Sequence, residues 1–361
     1  MEQALAQAAD GVRRTSPNPR VGCVLVNVAG TEIGVGSTQK AGGPHAEIMA
    51  LRDAAARGNS TLGATAYVTL EPCAHQGRTG PCCDALVRAG VRRVVASLAD
   101  PNPLVAGRGF ERLRQAGVDV SVGLGSERSR ELNIGFFSRM VRGTPWVRMK
   151  AAASLDGRTA LPNGQSQWIT SPAARSDGHA WRARACAILS GIGTILADNP
   201  RLDVREVETH RQPTLVIVDS ALQLSPDAAV FETARPVLIY TATAQQTRAQ
   251  ALEAQGASVI QMAGTNGRVD LAGLLSDLGR REINELHVEA GAQLNGALMA
   301  QDLVDEFLIY LAPRLMGSGS GIAELPIFSH IADSTVLEFT DVERVGTDIR
   351  LRARPPGRDR F

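Results

Sequence analysis

The sequence predicts an α/β protein of two domains, and three observations carry that prediction. Short apolar, β-branched runs of strand length alternate with stretches of helical period, the pattern of layered sheets covered by helices. At 361 residues the chain is longer than one core usually serves. A helical stretch ends at Gly143-Thr144-Pro145 and a fresh strand pattern, WVRMKAAAS, begins, which separates domain 1–143 from domain 144–361.

VGCVLVN (21–27) is the first core strand, apolar at nearly every position. HAEIMALRDAAARG (45–58) reads as a helix, with Ile48, Leu51 and Ala55 on one face and Gly58 as its stop. TAYVTL (65–70) and RRVVASL (92–98) are further strands; between them PCCDALVRAG (81–90) opens with proline and closes with glycine, as helices do. ERSRELNIGFFSRMVRG (127–143) is expected to be one continuous helix. In the second domain PTLVIVDS (213–220), PVLIYTA (236–242), ASVIQM (257–262), NELHVEAG (284–291) and VDEFLIYLAP (304–313) read as core strands. ARSDGHAWRARAC (174–186) and DLAGLLSDLGRR (270–281) read as helices between some of them. The polar end PPGRDRF (355–361) is expected to lack fixed structure.

Composition narrows the function. With 38 basic against 37 acidic residues and 4% aromatics, no nucleic-acid or anionic-membrane surface is expected, and the partners should be small molecules. No apolar run approaches the roughly 18 residues of a spanning helix, and the N-terminus lacks a signal h-region, so a cytoplasmic protein is expected. In that reducing compartment five unevenly clustered cysteines suggest a metal site plus buried thiols rather than disulfides.

Three of the five, Cys73, Cys82 and Cys83, lie with His75 in TLEPCAHQGRTGPCC (69–83). Upstream, His45-Ala46-Glu47 opens a helix, so that H-x-E and two P-C units match the signature of zinc deaminases. One imidazole and two thiolates leave a tetrahedral position open, as a catalytic zinc needs. Glu47 is not required as a ligand; its expected task is general acid/base catalysis, moving protons from water to the ring nitrogen and the leaving amine. Cys82 and Cys83 point about 100° apart at a helix start, so one alone can face the metal, and spacing leaves open which. A closed structural site with Cys83 or His75 as fourth ligand is the alternative; it has no use for a carboxylate at Glu47.

TSPNPRVGCVLV, GGPHAEIMALR, TLEPCAHQGRTGPCCDALVRAGVRRVV and DPNPLVAGRG resemble the deaminase half of a bifunctional riboflavin biosynthesis family. Its members fuse a diaminohydroxyphosphoribosylaminopyrimidine deaminase to a 5-amino-6-(5-phosphoribosylamino)uracil reductase. The long step from Cys73 to Cys82 distinguishes this family from deaminases with P-C-x-x-C. KAAASLDGRTA, SQWITSP, AILSGIGTILADNPRLDVR and VEAGAQLNGALM resemble the reductase half. The resemblance implies a cytidine-deaminase-like three-layer α/β/α domain over 1–143, zinc-dependent, and a dihydrofolate-reductase-like α/β domain over 144–361, NADPH-dependent. It implies deamination of a phosphoribosylated diaminopyrimidine, then reduction of its ribosyl chain, with Zn2+ and NADPH as cofactors and homo-oligomerisation through the reductase domain.

The resemblance also implies roles. His45, Cys73 and Cys82 are the ligands and Glu47 the catalytic residue, with Cys83 left to packing. Asn18, His75, Arg78, Asp100 and Asn102 would meet the deaminase substrate, although each equally suits a turn or a solvated loop. Ala152, Trp168, Thr194, Asp198, Ser220 and Gly291, Ala292, Gln293, Leu294, Asn295, Gly296 and Ala297 would line the NADPH side. Lys150, Asp156, Ser166, Arg182, Leu202, Arg205 and Glu289 would hold the reductase substrate. No G-x-G-x-x-G follows the first strand of this half, so the dinucleotide site is expected at helix starts such as Gly291 and Gly191-Ile192-Gly193 rather than in a Rossmann turn. Two other classes stand beside this reading: a deaminase of nucleic-acid bases, disfavoured by charge and aromatic content, and a zinc-stabilised binding protein, disfavoured by Glu47.

Overall fold

The structure, a computed structural model, describes residues 1–12, 14–74, 80–102 and 106–361. They form two compact units, Met1–Gly143 joined by Phe361, and Thr144–Arg360.

The first unit contains α1 (Glu2–Asp10), β1 (Gly22–Val26), β2 (Glu32–Ser37), α2 (Ala46–Ala56), β3 (Thr65–Val68), α3 (Cys82–Arg88), β4 (Arg93–Ala96), α4 (Arg108–Gln115), β5 (Asp119–Val122), α5 (Ser126–Leu132) and α6 (Ile134–Arg142). Its five-stranded sheet has the order β2-β1-β3-β4-β5, with β1 antiparallel to both β2 and β3 and the rest parallel. A single core of Cys23, Leu25, Val68, Leu86, Val94 and Leu113, among others, joins sheet and helices. Helix approach is set by glycine. A Cβ on Gly36 would lie 2.4 Å from the backbone of Ala46 and Ala50, and one on Gly34 2.4 Å from Ala50 O, so α2 seats directly on β2. That seating fixes the end of α2 carrying His45 and Glu47.

The second unit contains β6 (Trp146–Ser154), α7 (Pro172–Arg184), β7 (Ala187–Gly191), α8 (Ile192–Asp198), β8 (Thr214–Val218), β9 (Val237–Thr241), α9 (Gln246–Glu253), β10 (Ala257–Gln261), α10 (Leu271–Arg280), β11 (Glu285–Val288), α11 (Ala292–Ala300), β12 (Glu306–Ala312), β13 (Glu338–Val345) and β14 (Asp348–Arg354). The sheet order is β10-β9-β8-β7-β11-β6-β12-β14-β13, parallel except for β14, which is antiparallel to both of its neighbours. Long apolar strands fit a parallel sheet covered on both faces. One buried position breaks the pattern: Arg148 in β6 is fully buried between Glu306 (2.8 Å) and Glu285 (3.0 Å), which also take Arg354 and Arg184. Its charge is tolerated because every neighbour in the cluster is paired.

Three expectations need correction. The helix expected over 127–143 is two, broken at Asn133, whose buried side chain accepts from Arg20 N at 2.7 Å and donates to Arg20 O at 2.9 Å. A side chain committed to a distant backbone leaves the helical path at that residue. The strand reading misses β2, whose glycines hide its period, the short β5 and β7, and the hairpin β13–β14, whose outer strand is largely exposed. In the tail expected to lack structure, Arg358 bonds Asp305 at 2.7 Å and Asp302 at 2.9 Å, and Phe361 packs on Phe137 at 5.9 Å between ring centres. Among the described residues no helix is long and apolar enough to cross a membrane.

Candidate active sites

In the first unit His45 caps α2 in extended conformation and Cys82 begins α3. His45 Nδ1 lies 3.5 Å from Cys73 Sγ and 3.4 Å from Cys82 Sγ, and the three donor atoms fall within 4.8 Å of one another. Two ligands at tetrahedral zinc, one sulfur and one nitrogen, stand about 3.6 Å apart, so the donor set fits that ion in chemistry and spacing. Packing separates the adjacent thiols: Cys83 is buried in the apolar core, with its Sγ 3.7 Å from Asp84 Oδ1, while Cys82 turns to His45. The Cys82 thiol and N–H both donate to Cys73, the latter at 3.4 Å, and with the His45 ring they hold Cys73 well below the usual thiol range. Cys82 is pushed up in exchange.

Glu47, 3% exposed, sits in the first turn of α2 beside this cluster. Burial pushes its carboxyl up to about 7, and the Cys73 thiolate adds to the effect. A divalent cation among the three ligands would pull it back down. The neighbouring Glu71 was not foreseen. Its buried carboxylate accepts from Gly107 N at 2.9 Å and Gly109 N at 2.8 Å at the start of α4, and from Asp100 N at 3.2 Å. It thus ties Asp100 and the start of α4 to the segment that carries Pro72 and Cys73; the acid just before P-C was its available signal. Asp100, pushed up to about 7 by burial and by Glu71, accepts from Asn102 N at 2.8 Å. Asn18 lies in the turn after α1, where its N–H donates to Thr15 O. His75 and Arg78 lie outside the described residues.

The second unit holds a cavity of ≈ 1390 Å³, larger than the roughly 300–1,000 Å³ that one drug-sized ligand occupies. Two helices start on its wall, α8 at Gly191 and α11 at Gly291, and the first N–H groups of a helix lack partners within it. A Cβ on Gly191 would meet Leu294 at 3.2 Å, so the two starts are packed together. Of the expected cofactor residues, Thr194, Asp198, Ser220, Gly291, Ala292, Gln293, Leu294 and Ala297 line this cavity, as does Ser166. Asn295 and Gly296 do not: Asn295 donates to Ala290 O and Ile322 O, and a Cβ on Gly296 would lie 1.9 Å from Glu324 O. Ala152 and Trp168 are likewise outside the lining; Trp168 is 59% exposed with the Arg175 guanidinium 4.6 Å over its ring. Sequence reasoning missed Gln223, Ser320 and the loop Gly264–Leu271. The loop's signal was the Gly-Thr-Asn-Gly turn after the ASVIQM strand, at the strand end where α/β sheets bind ligands.

Glu289, just after β11, gathers two of the other expected substrate residues, Arg182 and Lys150. Arg182 grips it with both Nε and Nη2, Lys150 Nζ lies at 3.5 Å and His287 Nε2 at 3.4 Å. Burial opposes ionisation of Glu289, yet Arg182 and Lys150 hold its carboxyl well below the usual carboxylate range. Arg205 pairs with Asp203 at 2.7 Å, and Asp203 O takes Arg182. Leu202 is buried in the core, and Asp156 binds the N–H groups of Met316 and Gly317.

The family model "Cytidine and deoxycytidylate deaminase zinc-binding region" matches residues 1–98, and "RibD C-terminal domain" matches 145–351. The riboflavin biosynthesis protein RibD of Escherichia coli (strain K12) is 46% identical, over 97% of each chain. The solved structure of Acinetobacter baumannii RibD, form 1, aligns with a TM-score of 0.89 at 40% identity, covering 98% of this chain and 97% of that one. A diaminohydroxyphosphoribosylaminopyrimidine deaminase/5-amino-6-(5-phosphoribosylamino)uracil reductase from Thermotoga maritima aligns at 0.87 and 32%, with the same coverage. The two units accordingly have cytidine-deaminase-like and dihydrofolate-reductase-like α/β folds. A metal-type cluster in one unit, a large cavity in the other and matches along nearly the whole length agree: the chain belongs to the RibD family of riboflavin biosynthesis proteins, bifunctional deaminase–reductases.

Proposed function

We propose that this chain deaminates 2,5-diamino-6-(5-phosphoribosylamino)pyrimidin-4(3H)-one and then reduces the ribosyl chain with NADPH to give 5-amino-6-(5-phosphoribitylamino)uracil. The observation that carries the first step is the convergence of His45, Cys73 and Cys82 with buried Glu47 beside them. Those three side chains would hold one Zn2+, which when bound supplies a Lewis acid that acidifies water at its open position. Glu47 takes one proton of the attacking water on its carboxylate and delivers it to the pyrimidine ring nitrogen, then takes the remaining proton of the added hydroxyl and delivers it to the departing amine, which leaves as ammonia. We assign Asn18, Asp100 and Asn102 to the pyrimidine, and His75 and Arg78 to the ribose phosphate.

In the second unit NADPH supplies the hydride, and the protein supplies position and charge. The starts of α8 and α11 cradle the dinucleotide, while Arg182 and Lys150, spaced by Glu289, face the sugar phosphate with Ser166 and Arg205. Five free cysteines suit work in the reducing cytoplasm. Self-association through this unit belongs to the same reading, because Phe339, Val342 and Ile349 of the β13–β14 hairpin are exposed and apolar. Light scattering after gel filtration is expected to return more than one chain mass, and a Val342→Glu variant less; a monomeric parent protein would refute that part.

The test of the whole is an order of events. Zinc-loaded protein given the diaminopyrimidine ribosyl phosphate is expected to release ammonia without NADPH and to oxidise NADPH only after ammonia appears. NADPH oxidation with no prior ammonia release would reject the proposed sequence.

A further inference from the structure

We infer that Arg268 is the group by which this chain reads the 2′-phosphate of its dinucleotide, and so selects NADPH over NADH; the inference deepens the reductase reading and rests on it. Among the cavity-lining residues Arg268 is the one basic side chain, against Asp198, Asp270 and Glu324. A ligand with two or three phosphates entering a wall with three acids and one cation must meet its charge there or at the helix starts.

Arg268 is also uncommitted. Among the described residues its guanidinium has no hydrogen bond and no ion pair, although Asp270 is two positions away. The carboxylate of Asp270 is turned to Gly273 N at 3.0 Å, where it caps α10. The loop carrying Arg268 is closed by Gly264 N to Arg268 O at 2.7 Å and Asp270 N to Met262 O at 3.1 Å. It is tied to the end of β8 by Val269 N donating to Ser220 Oγ at 3.2 Å. That bond leaves the Ser220 hydroxyl proton free to donate to an anion, and Thr265 and Asn266 line the same wall. The arrangement is a fork and two neutral donors on one short loop, with Ser220 a third from the end of β8, which suits a phosphate monoester.

Its position distinguishes the 2′-phosphate from the pyrophosphate. The helix starts at Gly191 and Gly291 follow β7 and β11, whereas Arg268 stands beyond β8. The Lys150–Glu289 cluster lies on β6 and β11, so from β6 the path to β8 crosses three strand spacings, about 14 Å. Arg268 therefore serves the end of an extended dinucleotide remote from the reacting group.

The test uses the full-length protein and its Arg268→Gln and Arg268→Lys variants. Calorimetric titration with 2′,5′-ADP is expected to weaken by roughly 10- to 100-fold in Arg268→Gln, with 5′-AMP binding not following and partial recovery in Arg268→Lys. The ratio of kcat/KM for NADPH to that for NADH should fall by a similar factor, through KM for NADPH. Ammonia release by the first unit reports that each variant is folded. Equal weakening of 2′,5′-ADP and 5′-AMP would assign Arg268 to a phosphate shared by both cofactors and overturn the inference, and so would binding unchanged for both. A parent protein that binds neither probe and oxidises neither cofactor would instead bring down the reductase reading, and this inference with it.

Discussion

Glu47→Gln is expected to abolish most deamination, with kcat falling by about 10²- to 10⁴-fold, while zinc stays bound and reduction of the pre-deaminated substrate is unaffected. Glutamine keeps the shape and hydrogen-bonding reach of the buried side chain but cannot carry a proton. A loss of that size corresponds to about 3–5 kcal/mol of barrier. Metal content separates chemistry from coordination. Cys82→Ser should lose zinc because its thiol faces His45 Nδ1 at 3.4 Å, whereas Cys83→Ser should retain it because that thiol lies in the apolar core. Ammonia release and zinc by atomic absorption, measured on the same preparations, decide the matter. Normal deamination by zinc-loaded Glu47→Gln would remove the proton-transfer role and make the cluster structural.

Glu289→Gln should do the reverse, silencing reduction and sparing deamination. Its carboxylate is the shared anchor of Arg182 and Lys150, and without it two buried or half-buried cations lose their common partner. Breaking one partner out of a buried charge cluster costs about 3–5 kcal/mol. The pH dependence has a definite sign. The folded carboxyl lies well below the usual range, so its stabilisation is fully present above the unfolded value of about 4.3 and is lost as pH falls through the folded value. Wild type and variant should therefore differ most near neutrality and converge in acid. Denaturant midpoints from pH 7 down to 3 test this; a gap that stays constant would assign the loss to packing rather than charge.

The zinc-type cluster was readable because its ligands come with their own local grammar, a histidine two residues before an acid at a helix start and cysteines after prolines. The choice between Cys82 and Cys83 was not, because both follow the same proline and packing alone separates them. Most parallel core strands of the second unit, though not β7, stood out as apolar runs, yet Arg148 inside one of them could be explained only once Glu285 and Glu306 on the flanking strands were seen. The break at Asn133 was hidden for a similar reason: its partner, Arg20, is 113 residues away. The cavity wall at Arg268 joins the ends of strands far apart in the chain, a relation that spacing does not encode.

Gly34 and Gly36 are no part of the His45–Cys73–Cys82 cluster, yet any side chain there would lift α2 and carry His45 and Glu47 with it. Loss-of-function screens on this chain should consequently return hits in β2 that look like active-site lesions by phenotype and like nothing at all by proximity. The map of what the deaminase tolerates is wider than the map of what it contacts, and engineering of its substrate range has to treat that strand as part of the catalytic frame.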